Sequence, residues 1–192
     1  VEAEIAGFGA SGRNGGWCVG RIAGLDLEAG DAARQAAALR LQRASIDSVY
    51  EIGRVCEREG IDANFSRGGT ICLATAPAHV ERLKREVETW NRLGFEETDL
   101  RWLDQGTCRK RVTAAGTYGG LLFEHCAALH PARLARGLAE VVERQGTPIY
   151  ERSRVQRVTG GRLSTERGSL AAECVVIATE GYTPQLPGYT RS

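Results

Sequence analysis

The chain has 192 residues, 42% hydrophobic and 26% charged, which is the balance of a globular protein with apolar material for one ordinary domain or pieces of two. Its 25 lysines and arginines nearly cancel 24 aspartates and glutamates, so no net field holds it to nucleic acid or an anionic membrane, and a small ligand is the better partner. No apolar run approaches the ~18 residues of a membrane span, and six cysteines with no CxxC spacing and no signal segment fit a reducing cytoplasm better than a disulfide framework.

The first stretch, Gly7-Phe8-Gly9-Ala10-Ser11-Gly12, satisfies the spacing GxGxxG. A dinucleotide turn of that kind needs a strand before it, a helix starting inside it and an acid about 20 residues on, because the pyrophosphate sits on the helix N-terminus. That context is missing. Arg13-Asn14-Gly15-Gly16-Trp17-Cys18-Val19-Gly20 places three more glycines where helix should continue, each costing a helix about 1 kcal/mol relative to alanine. The spacing leaves three readings: a nicotinamide-type turn, an irregular loop whose backbone N–H groups approach a flat or anionic ligand, and a surface loop without function.

Asp31 to Glu59 reads as a long helix with Leu39, Ile46, Val49, Ile52, Val55 and Cys56 at helical spacing, ended by Gly60. Ala63–Phe65 and Thr70–Thr75 are β-prone runs joined by a turn at Gly68-Gly69. A second helix starts near Pro77, carries the stripe Val80, Leu83, Val87 and Trp90, and closes at Gly94. Leu121–Phe123 is a predicted strand, and His130-Pro131 opens a third helix whose Leu134, Leu138, Val141 and Val142 run to Gly146. Short extended runs at Ile149–Tyr150, Arg154–Val158, Arg162–Thr165 and Ser169–Ala172, punctuated by Gly160-Gly161 and Gly168, predict an antiparallel meander. The apolar, β-branched run Cys174 to Thr179 has the composition of a strand buried on both faces in a parallel sheet, ending in the turn Glu180-Gly181-Tyr182.

Glu2-Ala3-Glu4 followed by Gly9-Ala10-Ser11-Gly12-Arg13-Asn14-Gly15-Gly16 resembles the second flavin-contacting segment of FAD-dependent amine oxidases of the D-amino-acid oxidase and glycine oxidase superfamily, and within it the gamma-glutamylputrescine oxidase-like enzymes, in which GASGRNGG is characteristic. The long helix, the Arg67-Gly68-Gly69-Thr70 turn, Leu129-His130-Pro131-Ala132-Arg133-Leu134 and Val175-Val176-Ile177-Ala178-Thr179 extend the resemblance along most of the chain. It implies an α/β protein, α+β overall: a partial FAD-binding Rossmann-like domain from residues 1–60 and 129–192, with a partial antiparallel-sheet substrate domain at 61–128. It also implies that the family's first strand and its GxGxxG precede Val1, and that full-length relatives are about twice as long. A start at Val1-Glu2 and the lack of methionine agree with a piece of a longer polypeptide.

The resemblance implies FAD as cofactor and oxidation of a small-molecule amine. Glu2 takes the adenosine ribose hydroxyls, having acceptor oxygens for a diol, or is a solvated carboxylate. Ala10, Ser11, Gly12, Asn14, Gly15 and Gly16 line the pyrophosphate and isoalloxazine, with Arg13 as a possible charge or a surface cation. Val155 matches the main-chain contact to the adenine edge, and Ala178, Thr179, Gly181 and Tyr182 the strand end beneath the cofactor. Trp17 either walls the flavin site or packs in the core. No catalytic residue has a match, and no metal site is expected: His125-Cys126 with His130 lacks a fourth ligand at zinc spacing. His79 reads as a solvated first-turn residue. Two other readings remain, a non-catalytic fragment or binding module without cofactor and an NAD-dependent dehydrogenase using Gly7 to Gly12. Neither the oligomeric state nor the attachment of the flavin is legible.

Overall fold

A computed structural model describes residues 1–28, 30–186 and 188–189, so the last residues of the expected 129–192 division, 190–192, lie outside the described residues. The protein is mixed α/β, with five α-helices and nine strands among the described residues, and every ladder is antiparallel. It divides into two compact units, residues 15–130 and residues 1–14 with 131–192.

The first unit begins with β1 (Trp17–Val19) and the long helix α2 (Ala32–Glu59). Asp31 caps this helix by accepting the Arg34 N–H at 2.9 Å, and Gly60, at φ 69°, ends it where an L side chain would be strained. Then follow β2 (Ser66–Arg67), β3 (Thr70–Ala74), α3 (Pro77–Arg92), β4 (Leu100–Asp104), α4 (Gln105–Arg111), β5 (Gly119–Phe123) and β6 (Cys126–Ala128). They build two sheets, ordered β3-β5-β4 and β1-β6-β2. The consecutive strands β5 and β6 are thus each the centre of a sheet, joined by Glu124 and His125.

Every residue of β5 is buried. Leu121 and Phe123 join Leu83, Trp90, Phe95 and Leu100 in the main core, with Trp90 set against Phe95 (centroids 4.6 Å) and edge-on to Phe123 (5.7 Å). Leu122 points the other way, as strand alternation requires, into a second cluster with Leu103 and Cys108 of α4. Gly119 has no room for a side chain: a Cβ would stand 2.4 Å from the Trp102 ring and 2.6 Å from the Leu103 carbonyl.

The second unit holds a single turn of helix, α1 (Ala10–Arg13), with α5 (Pro131–Arg144), the meander β7 (Val155–Thr159), β8 (Arg162–Thr165) and β9 (Gly168–Ala171), and a 3-10 turn at Glu180–Gln185. The segment 2–4 runs beside 150–153: Glu2 N–H donates to the Tyr150 carbonyl at 2.9 Å, Ser153 N–H to Glu2 at 2.9 Å and Arg152 N–H to Glu4 at 2.7 Å.

Several expectations are corrected. The run Cys174 to Thr179 forms no strand and pairs with none among the described residues, and Val176 is 82% exposed. Apolar β-branched residues favour extension, yet a strand needs partners on its edges, and the described residues supply none. Ala63–Phe65 is not a strand; pairing starts at Ser66, and β2 and β3 join different sheets instead of forming a hairpin. Ile149–Tyr150 lies outside the meander. On α5, Ala139 and Val141 are buried, whereas Leu138 and Val142 of the anticipated stripe are exposed. The strands at 100–104 and 17–19 carried no sequence signal strong enough to predict.

Truncating Phe123, 1% exposed, to alanine is expected to cost about 3–5 kcal/mol, read as a lowered denaturation midpoint with unchanged slope.

Candidate functional site

The glycine stretch folds as one tight unit of backbone. Gly7 has φ +84°, and the Phe8 N–H returns to the Ile5 carbonyl at 2.9 Å, turning the chain before α1. Gly12 then comes so near Gly7 that a Cβ on it would lie 1.9 Å from the Gly7 carbonyl oxygen. A Cβ on Gly9 would stand 3.2 Å from the Tyr182 ring, and one on Gly7 3.0 Å from Ala135 of α5. So these glycines are required for close packing within their unit, and the helix they open lasts only four residues.

The expected irregular loop is therefore a single helical turn followed by a break. Asn14 makes that break: its side-chain amide donates to the carbonyls of Ala10 and Ser11, each at 3.2 Å, which satisfies acceptors at the end of so short a helix. Ala10 and Ser11 are exposed and Gly12 half-buried. Arg13 stacks its guanidinium 4.3 Å from the Phe8 ring centre, which orients the cation on the turn. Gly15 and Gly16 belong to the other unit, where Gly16, at φ 68°, accepts the Leu129 N–H at 2.9 Å and leads into β1.

Glu2 is half-buried, and one of its carboxylate oxygens accepts the Glu4 N–H at 2.9 Å. Its carbonyl accepts from Ser153, two residues before Val155, which opens β7 beside a bulge and is half-buried. Thr179 meets the glycine turn through Tyr182, whose N–H donates to the Thr179 carbonyl at 2.8 Å and whose ring stands against Gly9, whereas the Gly181 N–H donates to the Glu180 carboxylate. Ala178 is exposed in the irregular run before them. Within this unit the structure thus assembles two neighbourhoods, Glu2 with the start of β7, and the glycine turn with the 3-10 turn.

Sequence reasoning missed Glu151 and Arg136. The Glu151 carboxylate accepts the Ala6 N–H at 2.9 Å and pairs with Arg136 of α5, fixing the chain just before Gly7. The Ala6 N–H, then the Arg136 guanidinium, hold this carboxyl below its ordinary range. Nothing in the local sequence of Glu151 signals a partner 145 residues away.

In the other unit, Trp17 is 67% exposed and donates its indole N–H to the Cys126 sulfur at 2.8 Å, so it is not a core residue. Burial raises the Cys126 thiol, against the lowering effect of that N–H, and burial with the neighbouring Cys126 and Cys56 raises Cys18. None of these three has the depressed value of a nucleophilic thiol. His79 is engaged: its Nδ1 accepts from the Thr75 backbone N–H at 3.3 Å, near the start of α3. His125 faces Asp99 and Tyr50, and the described residues contain no group of three or more His, Cys, Asp or Glu side chains arranged for a metal ion. No helix among the described residues is long and apolar enough to cross a membrane.

Residues 1–191 match the family model described as FAD dependent oxidoreductase (DAO). The chain is 31% identical over 190 residues to the gamma-glutamylputrescine oxidoreductase of Escherichia coli (strain K12), covering 95% of this chain and 43% of that protein. It is 29% identical over 137 residues to the glycine oxidase of Geobacillus kaustophilus (strain HTA426), covering 68% of this chain and 36% of that one. Among solved structures, glycine oxidase from Geobacillus kaustophilus superposes with a TM-score of 0.71 at 25% identity, over 98% of this chain and 50% of its own. Glycine oxidase from Bacillus cereus ATCC 14579 shares the fold, with a TM-score of 0.74 at 19% identity over 98% of this chain and 50% of that one. The chain therefore spans about half the length of these relatives or less.

Two outcomes follow. Gly12→Ala, whose Cβ would meet backbone at 1.9 Å, is expected to destabilise by about 3 kcal/mol or more, whereas Gly15→Ala, with nothing within 4 Å, is near neutral; thermal unfolding of both separates them. Because Glu151 has a lowered folded value, its stabilising contribution is full above the ordinary glutamate range and is lost as pH falls through the folded value. Glu151→Gln is expected to flatten that part of the acid side of the stability curve, as followed by denaturation midpoints from neutral to acidic pH.

Proposed function

The chain belongs to the FAD dependent oxidoreductase family, and from that membership we propose that it forms part of an enzyme that oxidises a primary or secondary amine, an amino acid or a polyamine derivative, to an imine. The observation that carries the cofactor assignment is the glycine turn. With Gly12 pressed on Gly7 and Gly9 against Tyr182, the chain turns tightly into a first helical turn at which Ala10 and Ser11 are exposed. Exposed backbone donors at such a turn suit an anionic dinucleotide, and the residues present fit it.

In this reading Ala10 and Ser11 approach the pyrophosphate through backbone donors, since the first N–H groups of a helical turn have no intrahelical acceptor, and Gly12, whose own N–H donates to the Gly9 carbonyl at 3.2 Å, lines it. Arg13, oriented on Phe8, supplies the positive charge. Asn14, Gly15 and Gly16 continue along the isoalloxazine. Glu2 keeps acceptor capacity for the ribose diol beyond its bond to Glu4, Val155 pairs the adenine edge through its main chain, and Ala178, Thr179 and Gly181 lie beneath the cofactor. Residues 1–60 and 129–192 make the Rossmann-like cofactor part and 61–128 the substrate part, in a cytoplasmic protein.

Bound FAD supplies the acceptor for a hydride from the carbon bearing the amine, with oxygen as the terminal oxidant. The chain's own contribution is to bind and orient. No side chain here is assigned a proton-transfer role at the reacting carbon.

The purified chain, as isolated or after reconstitution with FAD, is expected to carry the visible absorption of an oxidised flavin, while the isolated chain alone is expected to be inactive toward amines. A chain that stays colourless after reconstitution overturns the cofactor assignment and leaves a module without cofactor. A Gly9-dependent response to NAD would instead support the dehydrogenase.

A further inference from the structure

The chain holds three asparagines, Asn14, Asn64 and Asn91, and all three are exposed. An asparagine loses ammonia when the main-chain nitrogen of the next residue attacks its side-chain carbon. Three things obstruct that attack: a bulky next side chain, a hydrogen bond on the attacking N–H, and torsions fixed by regular structure. Asn91 lies within α3, so the N–H of Arg92, which follows it, belongs to the helical ladder. Asn64 is followed by Phe65, a bulky ring packed so closely on α2 that a Cβ on Gly53 would stand 2.7 Å from it.

Asn14 differs on all three counts. Gly15 has no side chain, is exposed, and has nothing within 4 Å of the place its Cβ would take. Among the described residues no acceptor takes the Gly15 N–H. Asn14 itself stands just past α1 with extended backbone, φ −76° and ψ 176°. The reacting groups belong to consecutive residues, so their approach is governed by the Asn14 torsions alone. What restrains it is the side-chain clamp: the Asn14 amide donates to the Ala10 and Ser11 carbonyls, each at 3.2 Å, and both bonds must let go before the amide carbon can turn toward Gly15. A helix of four residues frays readily, because it has so few hydrogen bonds to lose.

We propose that Asn14-Gly15 is a site of spontaneous deamidation, by which the chain releases its own clamp on α1. The Gly15 nitrogen gives its proton to hydroxide and bonds to Asn14 Cγ. The Cγ–Nδ2 bond breaks, and the amide nitrogen leaves as ammonia, taking a proton from water and so restoring the hydroxide. One further water opens the five-membered succinimide. Cleavage between the ring nitrogen and Cγ gives aspartate, cleavage between that nitrogen and the Asn14 main-chain carbonyl carbon gives isoaspartate, and nothing is oxidised or reduced. Either product replaces a donor amide by a carboxylate, which only accepts. The Ala10 and Ser11 carbonyls then lose both donors and face a negative charge at the helix end where the backbone dipole opposes one.

The test ages the purified chain at mildly alkaline pH in heavy-oxygen water, digests it in ordinary water and maps the peptide masses, with Gly15→Ala and Asn14→Asp alongside. Heavy oxygen is expected to enter at Asn14, as a mixture of aspartate and isoaspartate, faster than at Asn64 or Asn91 and faster as pH rises. Gly15→Ala, for which the fold has room, is expected to slow this by about tenfold or more. Asn14→Asp is expected to lower the thermal midpoint by about 2–4 °C, and aged wild type to shift toward it. An Asn14 amide that lasts as long as those of Asn64 and Asn91, or a Gly15→Ala chain that ages at the wild-type rate, overturns the site. An Asn14→Asp chain as stable as the wild type overturns the release of α1.

Discussion

The larger unit depends on one constraint: the segment from Gly119 to Ala128 must satisfy backbone hydrogen bonds on both edges twice in succession, first as the middle of one antiparallel sheet and then as the middle of another. A strand so placed has no edge open to water, and an unpaired buried amide is costly. That explains why β5 is buried at every residue and tolerates glycine where Trp102 and Leu103 crowd it. It also explains why the two-residue link is held by a histidine bonded at both ring nitrogens. A change of direction between two central strands leaves a polar group in a confined place, and Tyr50 with Asp99 meets its needs.

In the smaller unit the corresponding constraint is the approach of backbone to backbone at Gly7 and Gly12. It shortens the helix to one turn, because Asn14 closes the carbonyls of Ala10 and Ser11 that a longer helix would use. Glu151 and Arg136 hold the chain just ahead of this turn, and Tyr182 lies over Gly9. The turn is thus held by residues from three distant parts of the sequence, while Ala10 and Ser11 remain exposed.

Family membership and local geometry carry different kinds of argument. The match over residues 1–191 places the chain among FAD dependent oxidoreductases, and the superposition at a TM-score of 0.71 covers half of the glycine oxidase chain. What this half contributes is scaffold: a tight glycine turn in one unit and two antiparallel sheets in the other.

The sequence by itself determined the elements whose signals are local. Asp31 and Gly60 bound the long helix, Pro77 opens the next, and Gly160-Gly161 turns the meander, because capping, fixed φ and positive φ act within a few residues. The string GASGRNGG, read by resemblance, was enough for the family. The sequence did not determine whether Cys174 to Thr179 would pair, since a strand is made by its neighbours and β-propensity only permits it. Nor did it reveal Tyr50 and Asp99 on His125, or Glu151 on Ala6, where the partners lie 75, 26 and 145 residues apart. Only the tertiary structure brings such groups together, because a hydrogen bond is decided by distance and direction in space, and separation along the chain records neither.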